Sequence, residues 1–514
     1  MRQIRLLAAF LTVSVWTFVS RVAGFVRDVL IAAFLGAGPV AEAFLIAFTL
    51  PNMFRRFFAE GAFTVAFVPM YAKRLQAGED ATGFARDAFA GLASLLIVFT
   101  LVALAAMPWL VLAMAGGFLG DERFDLAVHY GRICFPYILF ISLAALLSGV
   151  LNAMGRFVAA AATPTLLNVF FIGAMLAADR AGWPMGDTLA WTVPIAGVAQ
   201  LAMLWVAAAR AGFTPSFRLP RLTPELKRLA IIAGPAMLAG GVVQINLIVG
   251  RQVASFFEGA VAWLSYADRL YQLPLGIVGI AIGVVLLPDL SRRLRADDTV
   301  GGRNSYNRAT EFALVLSVPA AVALVVAAHP IVSVLFERGA FTAADSAATA
   351  LAVAIYGLGL PAFVLQKVMQ PLYFAREDTR SPFRFAVWAM LVNAVLAIGL
   401  APVIGYIAAA LATTVAGWTM VWQLARNARA MGSAALYDDR LRGRILRILL
   451  ASAGMGAVLV AGTVLLSDAL ATPTLRYGAL AALVALGCVS YAGLGFALRA
   501  FRPADFRQAL RRTG

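Results

Sequence analysis

Histidine and cysteine are almost missing from this chain: two of each in 514 residues. With only His129 and His329 available, a zinc centre or a histidine-based nucleophilic triad has very little to draw on. Cys134 and Cys488 lie far apart inside apolar stretches, so a disulfide framework is not indicated. Charge is scarce as well, at 13% of residues, about half of what the surface of a soluble protein of this length requires. No Gly-rich GK[ST] loop for nucleotide phosphate is present. No hydrophilic connection exceeds about 20 residues, which leaves no room for a separate soluble domain. These absences argue against a metalloenzyme, a hydrolase and a nucleotide-driven pump, and the expectation is that the protein is not an enzyme.

What the chain has instead is apolar length. Hydrophobic residues make up 62% and the mean hydropathy is +0.86. Apolar runs of about 20 residues, enough to cross a hydrocarbon core as helix, recur from end to end. With Gly, Pro and charge clusters as punctuation they number about fourteen, so the expected fold is an all-α polytopic membrane protein. The first run has no small-residue cleavage site before Arg21 and is expected to be a retained helix. About 30 of the 42 Lys and Arg fall in alternate loops, against five in the opposite ones, which predicts both termini on the cytoplasmic side. The net charge of +16 then finds its counter-charge in anionic lipid headgroups, and nucleic acid is not an expected partner.

A repeat with an offset of about 220 residues relates the halves: Leu50-Pro51 to Leu273-Pro274, Val68-Pro69 to Leu287-Pro288, and Asn168 to Asn393. Each half holds six spans running in the same direction, the parallel topology of transporters whose bundles rock about a site. The expected domains are residues 1–217 and 218–430 as two six-helix lobes, with two further helices and a basic tail in 431–514.

Charges inside the spans are the functional candidates, because one at the centre of a bilayer costs about 2.5–3.5 kcal/mol and is kept where it faces protein or a watery cavity. Arg21 and Asp28 are seven apart and share a helix face, with Arg27 about 120° round. Arg56 and Glu60 are four apart and can pair along a helix, which leaves Arg55 the freer cation. Asp268, Arg269 and Lys367 occupy spans of the second half. Arginine donates in a planar fork to phosphate oxygens and stays charged in almost any setting, so several arginines with few carboxylates suit an anionic substrate such as a diphosphate. The structural alternative is that these residues are buried ion pairs fixing helix register.

Residues Ser20 to Asp28 (SRVAGFVRD) and Leu50 to Phe63 (LPNMFRRFFAEGAF) closely resemble the signature of the MurJ (MviN) family of bacterial lipid II flippases. Support continues in Tyr266 to Leu270 (YADRL), Leu286 to Pro288 (LLP) and Val368 to Thr379 (VMQPLYFAREDT), and covers about residues 1–430. The resemblance implies a MOP-superfamily (MATE-like) fold with two C-terminal helices forming a lipid groove. It implies transport of undecaprenyl-diphosphate-linked disaccharide-pentapeptide from the inner to the outer leaflet of the cytoplasmic membrane for peptidoglycan synthesis. By matching motif, Arg21, Arg27, Arg55 and Arg269 would engage the diphosphate and Asp28 would pair with Arg27. Arg56, Glu60, Asp268 and Lys367 are supporting candidates. Glu42 stands where relatives usually have Asp, and a gating role is expected there. Thr49 replaces a Lys of some relatives. The sodium site of some relatives is not carried over, since the segment around Asn393 has no carboxylate. No cofactor is expected, and any coupling would be to the membrane potential or a monovalent cation. The implied partners are lipid II, membrane lipids and cell-wall synthesis enzymes. Two alternatives stay open: a cation-coupled exporter of a drug or another lipid-linked oligosaccharide, and a non-transporting cell-wall assembly scaffold.

Overall fold

The computed structural model describes residues 2–56, 64–216, 221, 223–432 and 435–501, and among these every regular element is helical. Helices are what an apolar chain in lipid must form, since each backbone N–H and C=O then bonds within its own segment. Ten of them are long and apolar enough to cross a membrane, among the described residues. The all-α polytopic expectation holds.

Two compact units emerge from the packing. The first is residues 1–262 with 338–341, the second residues 263–337 with 342–514. The first unit contains α1 (Arg2–Leu35), α2 (Pro39–Arg55), α3 (Thr64–Ala77), α4 (Ala81–Ala105), α5 (Met107–Met114), α6 (Glu122–Cys134), α7 (Tyr137–Ala153), α8 (Val158–Ala181), α9 (Met185–Arg210) and α10 (Pro224–Ser255). Its core is aromatic: Phe44, Phe67, Phe89, Phe135 and Phe171 are all fully buried. The segment 338–341 joins this unit because Ala340 N–H donates to the Ala33 carbonyl at 2.8 Å. Gly36, at φ +63°, makes that approach possible; a Cβ there would stand 2.4 Å from the Ala340 carbonyl oxygen.

The second unit contains most of α11 (Ala260–Arg295), then α12 (Thr299–Val326), α13 (Ala328–Phe336), α14 (Ala343–Phe374), α15 (Arg380–Ile404), α16 (Ile407–Ala428), α17 (Asp439–Leu465), α18 (Ser467–Ala471) and α19 (Arg476–Ala497). Met455 and Leu459 of α17 and Leu483 of α19 pack around Ala327, so the C-terminal pair is built into this unit.

Helix starts follow the polar residues of the loops. Asp80, Thr223, Asp298 and Asp438 each accept a backbone N–H three residues on, and Thr342 forms a reciprocal capping box with Asp345. The packing boundary and the repeat boundary differ. α10, the first helix of the second half by repeat, packs in the first unit: Gln252 Oε1 and Ser255 Oγ accept the Gly116 and Gly117 N–H groups, each at 2.9 Å.

Candidate functional site

Arg27 is buried on the face of α1 that meets α2 and α8. Its Nε and Nη2 donate to Asp28 Oδ1 at 3.0 and 2.7 Å, and its Nη1 donates to Asn168 Oδ1 at 2.9 Å. Asn168 is itself held, its Nδ2 donating to the Ser20 carbonyl at 3.0 Å. The guanidinium carbon lies 5.5 Å from the Phe171 ring centre and 6.0 Å from that of Phe48. Such cation–π contacts strengthen once water is removed, and here Arg27 and Asp28 are each only 8% exposed. The result is a desolvated ion pair with aromatic neighbours about two turns before the end of α1.

Glu42 centres a second polar network in the first unit. It is completely buried at the start of α2, where Oε2 accepts from Arg123 Nη1 at 2.9 Å and Oε1 accepts the Val261 N–H at 3.0 Å. A carboxylate on the first turn of α11 is also favoured by the partial positive charge of the helix N-terminus. Arg251 Nη1 donates to the Val261 carbonyl at 3.1 Å, so that one peptide is held from both sides. Arg123 donates in addition to Asp121 Oδ2 at 2.6 Å and lies over the Phe118 ring at 4.5 Å. The Arg123 backbone N–H and guanidinium hold the Asp121 carboxyl below its usual range.

Of the other candidates, Arg21 is exposed on α1, Arg55 is half-buried at the end of α2, and Arg56 is exposed just after it. Glu60 lies outside the described residues. In the second unit Asp268 accepts from the Gln272 amide one turn on, and Arg269 and Lys367 are exposed. The structure therefore brings Arg27 and Asp28 together and places Glu42 in a different network. Among the described residues no group of three or more His, Cys, Asp or Glu could hold a metal ion.

The family described as Lipid II flippase MurJ matches residues 31–486. This chain belongs to that family. It is 46% identical over 462 residues to the Rhizobium tropici protein named Probable lipid II flippase MurJ, covering 88% of this chain and 86% of that one. It is 38% identical over 414 residues to Lipid II flippase MurJ of Burkholderia cenocepacia, covering 78% and 79%. A solved structure of Lipid II flippase MurJ in an inward closed conformation superposes with a TM-score of 0.79 at 26% identity, over 95% of this chain and 98% of that one. A multidrug resistance MATE family transporter of the MOP superfamily shares the fold at 13% identity and a TM-score of 0.67, over 83% and 98%.

Two partners in this MurJ-family chain escape sequence reasoning. Asn168 stands out in sequence only as a repeat marker, and its bond to Arg27 spans 141 residues. Arg123 reads as a loop cation, yet it is 6% exposed. The available signal was Asp121 two residues before it, an N-cap whose side chain reaches the arginine.

Proposed function

We propose that this protein is a lipid II flippase of the bacterial cytoplasmic membrane, with both termini cytoplasmic. It would carry the undecaprenyl-diphosphate-linked disaccharide-pentapeptide from the inner to the outer leaflet by alternating access, supplying peptidoglycan synthesis. The functional lobes in this reading are residues 1–217 and 218–430, with 431–514 guiding the lipid tail. Arg21, Arg27, Arg55 and Arg269 bind the diphosphate. The observation that carries the reading is Arg27, a guanidinium kept buried about two turns before the end of the 34-residue helix α1 in a chain of this family. Burying such a charge is costly unless an anion accompanies it; Asp28 holds the Nε side of the guanidinium, and the diphosphate meets its terminal edge. A potential that is positive outside favours outward movement of negative charge by about 2.3 kcal/mol per charge per 100 mV, which drives transport without a nucleotide.

The test is outer-face lipid II in cells whose only copy carries Arg27→Ala or Arg269→Ala, with membrane abundance measured in parallel. Loss of outer-face lipid II at normal abundance is expected. Unchanged translocation in both variants would overturn the arginine assignment.

A further inference from the structure

The guanidinium of Arg27 has five N–H groups. Asp28 takes the Nε and one Nη2 hydrogen, Asn168 takes one Nη1 hydrogen, and one hydrogen on each terminal nitrogen remains. The terminal edge of a guanidinium, between Nη1 and Nη2, is one side on which it can meet two oxygens of one phosphate. The direction of that edge is set by both holds on the planar group, Asp28 on the Nε side and Asn168 on Nη1.

Chemistry fixes the orientation of the Asn168 amide. Arginine offers only donors, so the atom facing it must be the carbonyl oxygen, and Nδ2 then faces the carbonyls of Ser20 and Pro164 at 3.0 and 3.4 Å. Asn168 is 5% exposed and ties α8 to α1 one turn on either side of Gly24. Neutrality is its second property. Asp28 already faces Arg27, and a second carboxylate beside it would add a negative charge that repels an incoming diphosphate; an amide orients the guanidinium without adding charge. Phe48 and Phe171 lie beside the cation.

We propose that Asn168 is a positioning residue for translocation: it holds Nη1 of Arg27 so that the free edge of the guanidinium is presented to the substrate's diphosphate. The inference rests on the flippase reading and on Arg27 being a substrate ligand.

The experiment measures the dissociation constant for lipid II with the full-length protein in nanodiscs, for the wild type, Asn168→Ala, Asn168→Leu, Asn168→Asp, Arg27→Ala and the Arg27→Ala/Asn168→Ala double variant. Monodisperse elution and an unchanged unfolding temperature select the variants that are read. Asn168→Leu fills nearly the same volume and Asn168→Asp is isosteric, so a failure of the alanine variant to fold leaves two readouts. Losing a hydrogen bond to a charged group should weaken binding about tenfold to a hundredfold in the alanine and leucine variants. Asn168→Asp should be weaker still. The double variant should bind no worse than Arg27→Ala alone, because Asn168 acts through Arg27. Additive losses, or wild-type affinity in the folded Asn168 variants while Arg27→Ala loses binding, would overturn the positioning role alone. Wild-type affinity in Arg27→Ala would overturn the diphosphate reading itself.

Discussion

A charged residue in the membrane part of this protein is decided by its partner. Arg27 has a carboxylate next to it in sequence and an amide 141 positions away, and the two together aim it. Glu42 is the sharper case, because it is completely buried and shared between Arg123 and the Val261 N–H. Removing one member of such a pair leaves the other buried and uncompensated, at about 3–5 kcal/mol. Arg123→Ala should therefore lower the unfolding temperature of the detergent-solubilised protein markedly, while Glu42→Gln, which keeps an acceptor for Val261, should cost less. Equal unfolding temperatures for wild type and Arg123→Ala would show that the pair contributes nothing to stability. Glu42 and Arg27 are legible in the sequence as charges within apolar runs. Their partners Arg123 and Asn168 are not, since no local pattern marks which distant helix a side chain will meet.

At the scale of elements, α17 is fastened to α12 by a polar clamp. Glu311 of α12 receives Arg308, Arg440 and Arg444, and Asp438 binds Arg308 while capping α17 through the Leu441 N–H. Asn307 adds bonds to the Asp438 N–H and the Leu436 carbonyl at 2.9 and 3.0 Å. Glu311 and Arg444 are each 6% exposed, so three cations converge on one desolvated carboxylate. Glu311→Ala should leave them repelling one another and open the start of α17. Hydrogen exchange across residues 436–448 should then accelerate about tenfold or more, an opening free energy lower by at least about 1.4 kcal/mol; unchanged protection would show that apolar packing alone holds the helix. The cap at Asp438, like those at Asp80, Asp298 and Thr342, is a local contact three residues long. The burial of Arg444 is not legible in the sequence, where it belongs to a run of loop arginines.

For the whole molecule, acid stability can be followed at two carboxyls outside the spans. Asp121 and Asp378 lie in connections between spans, and both carboxyls are held below their usual value, Asp121 by the backbone N–H and guanidinium of Arg123, Asp378 by the Ser381 N–H at 2.9 Å. A carboxyl lowered in the folded state contributes stability above its unfolded pKa, about 3.9, and loses it as pH falls through the folded value. The unfolding temperature in detergent should therefore show no loss from these two groups between pH 7 and 5 and should fall below about pH 4. In Asp121→Asn the acid-side fall should be smaller, and an identical acid profile would refute the assignment.

By itself the sequence determined the all-helical membrane class, the in-span charges and the family, because apolar length and signature motifs are local and additive along a chain. Only the tertiary structure decided that α10 packs with the first unit, that Arg123 and Arg444 are buried, and that Asn168 holds Arg27. Each of these depends on the same physical fact: a desolvated charge must find a partner, and in a bundle that partner is supplied by whichever helix the packing brings alongside, at no fixed distance in sequence.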